Sequence, residues 1–146
     1  MMGVAELIQN YTRKKKCTLL GVGPMSVNCV DSVIEISNTY DVPLFLIASR
    51  RQIDSEEFGG GYVNNWTTED FSKYVRTKDL RGKVILARDH GGPWQSIKEV
   101  EQNMSLPNAM DSAKLSYKRD IDANFQVIHI DTSIDIHEKA DKIDVI

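Results

Sequence analysis

Cysteine is nearly absent: Cys17 and Cys29 are the only two in the chain. They are too few and too separated for a disulfide framework, and neither has a second cysteine at metal-ligand spacing, so both are expected to be reduced and buried. A long apolar run is also missing, which excludes a membrane span. The N-terminal stretch carries its charges after its apolar part, the reverse of a signal peptide. Nor does one sign of charge dominate. With 18 Lys and Arg against 21 Asp and Glu the net charge is -3, which gives neither a basic field for nucleic acid nor an acidic block. The basic run Arg13 to Lys16 reads as the solvated end of a short helix, stabilised by the helix dipole. A cytoplasmic protein with small-molecule or protein partners is what these absences leave.

What is present is an alternation. Four short apolar runs, Cys17 to Val22, Leu44 to Ala48, Val84 to Ala87 and Phe125 to Ile130, are bounded by turn residues and read as buried strands. Between them lie segments with helical spacing, such as Val27, Val30 and Ile34, or Met110, Ala113, Tyr117 and Ile121. Thr67 followed by Asp70 predicts a capped start for a helix carrying Phe71 and Val75, with Gly82 past its end. Strands joined by helical crossovers of this length are parallel. The fold class is therefore α/β, built of parallel (β/α) units that form part of a (β/α)8 TIM barrel. A whole barrel needs about 250 residues in eight units, so residues 1–146 read as one partial-barrel domain of about four. The apolar end, Lys142 to Ile146, has no cap or turn and suits a surface that docks against something. The alternative is a doubly wound domain that binds a small molecule at its strand ends.

Three segments could carry chemistry. The first is Val84 to Pro93, a buried strand that runs into Asp89, His90, Gly91 and Gly92, at the end where parallel barrels hold their reacting groups. Neighbouring strand residues point to opposite faces, so Asp89 and His90 share a site only if the chain turns there. Asp89 would then be the catalytic proton carrier and His90 a zinc ligand, with Zn2+ polarising a carbonyl. The plainer alternative is an Asp that caps the next helix beside an exposed His. The second segment is Ile128 to Ser133. Asp131 falls at the rim, and Thr132 and Ser133 could bind phosphate or cap a helix. His129 falls one layer deeper, where a hydrogen-bonded core histidine is expected, and His137 is expected in solvent. The third is the long loop Ser49 to Asn65, a candidate lid or binding loop. Ser49 and Gly59, Gly60 and Gly61 are its candidate substrate and phosphate contacts, although the glycines form no Walker or Rossmann fingerprint.

Glu57 to Tyr62 followed by Thr67 to Phe71, then Arg88 to Pro93, then His129 to Ser133, resemble in order and spacing the accessory, noncatalytic subunits of tagatose-bisphosphate aldolases. These are relatives of the class II zinc-dependent enzymes, and the similarity runs from about Leu7 to Ser133. An extra glycine and the pair Arg50 and Arg51 depart from the family pattern. The resemblance implies that Asp89 transfers a proton and His90 binds zinc. The remaining zinc histidines of the catalytic relatives lie on later strands that this sequence does not contain, so the zinc site would be incomplete. It also implies a phosphorylated sugar as substrate, and a catalytic aldolase chain or a second copy as partner. Alone, the chain is expected to bind zinc weakly, to lack appreciable cleavage and to self-associate.

Overall fold

The computed structural model of the chain describes residues 3–14 and 16–137. The run from Lys142 to Ile146 and Lys15 of the basic run lie outside them. Helix α1 spans Val4–Gln9 and passes into a π turn over Asn10–Lys14. Strand β1 is Gly21–Val22, α2 is Val27–Tyr40 and β2 is Leu44–Ser49. The loop after β2 contains a 3-10 turn, Glu56–Phe58, and leads into α3, Thr68–Lys78. Then follow β3, Val84–Gly91, the short α4, Ile97–Glu101, the long α5, Leu106–Asp122, and β4, Val127–Ile130.

The four strands form one sheet, all parallel, in the order β1-β2-β3-β4. A doubly wound sheet reverses its strand order and binds ligands where it does so. This order does not reverse among the described residues, so the described sheet holds no such crevice. The crossovers also collect on one side. Leu44, Leu46, Ala48, Val84 and Leu86 form a core with Val30, Val33 and Ile34 of α2 and Phe71 and Val75 of α3. Helix α5 reaches the same face, where its Asp120 meets Arg88. On the opposite face Phe45, Ile85 and Ala87 pack against Val4, Leu7 and Ile8 of α1.

Local chemistry sets the boundaries. The Ser26 hydroxyl accepts from the Cys29 N–H and starts α2, and Thr67 accepts from the Asp70 N–H and starts α3. Each satisfies a donor that the first helical turn leaves free. β1 is shorter than its apolar run: residues 17–20 are irregular, and Cys17 is exposed rather than buried. β4 starts at Val127, not Phe125. Phe125 is a buried core residue, and the Gln126 N–H donates to the Leu86 carbonyl just ahead of the ladder. Helix α5 presents a different stripe from the apolar one. It buries Ala109, Ala113, Ser116 and Asp120, whereas Ile121 is 62% exposed. Among the described residues no helix is long and apolar enough to cross a membrane.

Candidate functional site

β3 solves the problem of presenting two adjacent side chains at one rim. Arg88 pairs with Ile128 and Gly91 with Ile130, so Asp89 and His90 together stand opposite the single residue His129. That is a β-bulge, which re-aims a side chain at the end of a strand. His90 is the residue that absorbs it, with φ 45. A non-glycine residue in that left-handed region costs about 1–3 kcal/mol and persists only where its surroundings impose it. Here they do. His90 Nδ1 lies 2.6 Å from Asp131 Oδ2 and its Nε2 lies 3.4 Å from Asp89 Oδ2, while His129 Nδ1 lies 3.3 Å from Asp89 Oδ1. Carboxylates and imidazoles therefore alternate as His129, Asp89, His90 and Asp131 along the carboxyl ends of β3 and β4.

The four groups differ in exposure. The Asp131 side chain is only 7% exposed, against 57% for His90 and 58% for His129. Burial pushes the Asp131 carboxyl up. Hydrogen bonds from the Ser133 hydroxyl and N–H and from His90 outweigh it, so its pKa lies below the ordinary carboxylate range. A carboxyl lowered in the folded state contributes stability at neutral pH that is lost as the pH falls through its titration. Gln95 Nε2 donates to the same Oδ2 at 2.8 Å. Asp131 thus orients both His90 and Gln95, much as a carboxylate fixes the ring of a metal-binding or proton-transferring histidine.

The two glycines after His90 are required by packing. The Gly91 carbonyl accepts from the Asp131 N–H at 2.6 Å and from the Tyr117 hydroxyl. A Cβ on Gly92 would overlap the Asp131 carbonyl, which is backbone and cannot step aside. Gly92→Ala is therefore expected to destabilise the fold by about 1–3 kcal/mol or more, the range for overpacking. Thermal denaturation checks this, and a melting temperature equal to that of the parent would contradict it.

Ser49 ends β2 level with Asp89. It lines a cavity of about 300 Å3 with Arg51, His90, Gln95, Ser133 and Ile134. Asp89, His90, Asp131, Ser49 and Ser133 thus meet at one rim. Thr132 shares their loop but is not part of the cavity wall.

Gly59, Gly60 and Gly61 lie elsewhere. Their N–H groups donate to the carbonyls of Glu56, Ser55 and Trp66 and are not free to cradle a phosphate. Gly60 borders a second hollow with Phe58, Tyr62 and Lys98, which shares only Arg51 with the first. The loop expected to be a lid is packed down, because it buries Ile53 and Val63 in the core and Arg50, Asp54 and Ser55 beside it.

Three further expectations are corrected. Asp89 caps no helix, since its partners are the two histidines and Ser96 stands at the start of α4. His129 is no core histidine, because the bulge turns it outward beside Asp89. His137 is half-buried, with Nε2 3.1 Å from the Met104 carbonyl and its ring edge-on to Trp94.

The resemblance to class II aldolases implies zinc. His90 is oriented as a zinc ligand would be, with one ring nitrogen held by a carboxylate. A catalytic zinc needs three protein ligands, and among the described residues no group of three or more His, Cys, Asp or Glu is arranged to hold an ion. The described donors do not fit a self-sufficient zinc site.

No family model matches the chain. Among solved structures it is similar to a crystal structure of a probable tagatose 6 phosphate kinase from Sinorhizobium meliloti 1021, with a TM-score of 0.65 and 21% identity. The match covers 81% of this chain and 30% of that one. At such identity the likeness shows the fold, an α/β arrangement, and the chain spans less than a third of that protein's length.

Proposed function

We propose that the chain supplies about four (β/α) units of a (β/α)8-type barrel subunit that serves ketose-bisphosphate aldol chemistry, of the tagatose 1,6-bisphosphate kind, in carbohydrate metabolism. The observation that carries this is the bulge at Asp89 and His90, which gathers two carboxylates and two imidazoles at the carboxyl ends of a sheet in unbroken sequential order. Crossover helices on one face support the barrel reading, because a barrel keeps its helices outside. The name of the structure with the same fold, which concerns a tagatose phosphate, supports the class of sugar.

In this reading Asp89 is the proton carrier. Cleavage of a ketose bisphosphate needs a base for the hydroxyl proton as the carbon–carbon bond breaks. A carboxylate held from both sides by imidazoles and 40% exposed can reach a substrate. Asp131 positions His90, and Ser49 and Ser133 contact the substrate. The second reading, a noncatalytic subunit that stabilises a catalytic aldolase chain, is favoured by the exposed apolar residues beside the two sheet edges, Leu20 at 59% and Ile130 at 70%.

The test is cleavage of tagatose 1,6-bisphosphate by the protein alone and with a class II aldolase chain, comparing parent and Asp89→Asn. The catalytic reading expects a loss of about 100-fold or more in kcat for the variant. An unchanged rate would overturn that role, and would leave the assembly reading if the partner's activity still decayed faster without this subunit.

A further inference from the structure

The cavity wall contains two residues that the family resemblance does not assign, Arg51 and Gln95, and its chemistry is lopsided. Its six lining residues are Ser49, Arg51, His90, Gln95, Ser133 and Ile134: one permanent cation, one imidazole, two hydroxyls, one amide and one aliphatic group, with no carboxylate. The buried acid bonded to this wall, Asp131, is sheathed, because His90, Gln95 and the hydroxyl and N–H of Ser133 already bond its oxygens. Arg51 is exposed, and among the described residues the one hydrogen bond of its guanidinium runs from Nε to the Gln95 carbonyl at 3.4 Å. That contact tethers the guanidinium and leaves its terminal N–H groups for a ligand. A volume of about 300 Å3 stands at the small end of ligand sites.

We propose that this cavity is an anion subsite in which Arg51 binds a phosphate monoester, assisted by the hydroxyl of Ser49. The planar fork of a guanidinium matches two phosphate oxygens at once, and the Ser49 hydroxyl, which accepts from the Gln52 N–H and keeps its own proton, is the wall's donor for another. Gln95 is a positioning residue. Its carbonyl holds Arg51 and its side-chain amide is fixed by Asp131, so the buried carboxylate organises the anion site without facing it. Arg51 then determines which end of a sugar phosphate enters the rim, leaving the polyol next to Asp89 and His129. This rests on the carboxyl-end rim being the functional site, and it does not require that the reaction there be an aldol cleavage.

Isothermal titration of the whole protein with inorganic phosphate tests the subsite, with acetate as a second probe. Arg51→Gln is the main variant, and Lys118→Gln, which removes a cation of α5 outside the cavity, is the control. Because Arg51 is exposed, its replacement leaves the core intact. The expected result is phosphate binding that Arg51→Gln weakens about tenfold or more, as for loss of a charge-assisted contact, and that Lys118→Gln leaves unchanged. Absence of phosphate binding, equal binding of acetate, or equal weakening by the two variants would each overturn it. Phosphate binding that depends on Arg51 in a protein without cleavage activity would retire the aldol reading and keep the subsite, so the two failures are distinguishable.

Discussion

Arg88→Met is expected to lower the unfolding free energy by about 3–5 kcal/mol, the cost of leaving a buried charge without its partner. Arg88 and Asp120 are both fully buried, with side-chain exposures of 0% and 0%. Arg88 Nε donates to Asp120 Oδ2 at 2.7 Å and Nη2 to Oδ1 at 2.6 Å, a two-pronged pair. Nη1 donates to the carbonyls of Ala48 and Ile53 at 3.1 and 2.6 Å, which joins β3 to the end of β2 and the loop after it. Burial pushes the Asp120 carboxyl above its ordinary range, and Arg88 pulls it only part of the way back. Without Arg88 that carboxyl must take up a proton or remain an uncompensated ion, and two carbonyls lose a donor. Urea denaturation of the single variant and of the double variant Arg88→Met, Asp120→Leu reads the effect. The double variant should recover most of the loss, because an apolar pair of similar volume often replaces a buried ion pair without penalty. A loss below about 1 kcal/mol in the single variant, the level of an exposed pair, would contradict the account.

Arg50→Met is expected to cost a similar amount, about 3–5 kcal/mol, and also to disturb the candidate site. Arg50 bonds Asp54 at 3.0 Å, Glu99 at 2.7 Å and the Gly92 carbonyl at 3.1 Å, and lies over the Phe58 ring at 4.9 Å. Its partners are linked further. Ser116 donates to Asp54 at 2.9 Å and Ser112 donates to Glu99, so α4, α5 and the loop after β2 converge on one guanidinium. Among the described residues Glu99 Oε2 is already buried without a partner, and removal of Arg50 would strand both carboxylates. Because Gly92 lies two residues from His90, the variant should also shift the His90 ring signals in NMR, which a purely distant effect would not. Arg50→Lys should restore little, since an ammonium cannot reproduce the fork. By contrast, breaking the exposed pair Lys118 with Asp122 should cost no more than about 1 kcal/mol. Equal losses for the buried and exposed pairs would contradict the network.

These two arginines also mark where the sequence stopped being legible. The strands and the capped start of α3 follow from apolar runs, turn residues and a Thr beside its Asp, because such signals are local. The burial of α5 does not, since an apolar stripe through Met110 and Ile121 looks like the core face until Arg88 and Asp54 place charge in the interior. The helix then rotates Ser116 and Asp120 inward to meet them. A similar blindness hid the structure of the glycine loop. Three glycines in a row suggest freedom, but Gly59 and Gly60 adopt φ 83 and 72 to close a tight turn, and a Cβ on Gly61 would overlap the Gln52 carbonyl.

At the site, Asp89 and His90 were visible as polar residues at a strand end, but His129 was not. Strict alternation places it one layer down, and only the bulge, an extra residue in β3 opposite it, brings it level with Asp89. In the sequence Arg51 stands out only as a departure from the pattern of the family that the chain resembles. Its place in the cavity wall depends on the turn after β2 bringing it beside Gln95, some forty residues later in the chain.

The central claim is that the carboxyl-end rim of this sheet is the functional site, and the most direct measurement is an amide NMR titration of the protein with tagatose 1,6-bisphosphate. Saturable shifts confined to residues 49–52, 89–95 and 129–133 are the expected result. Shifts at the amino ends of the strands, or none at saturating sugar phosphate, would contradict it.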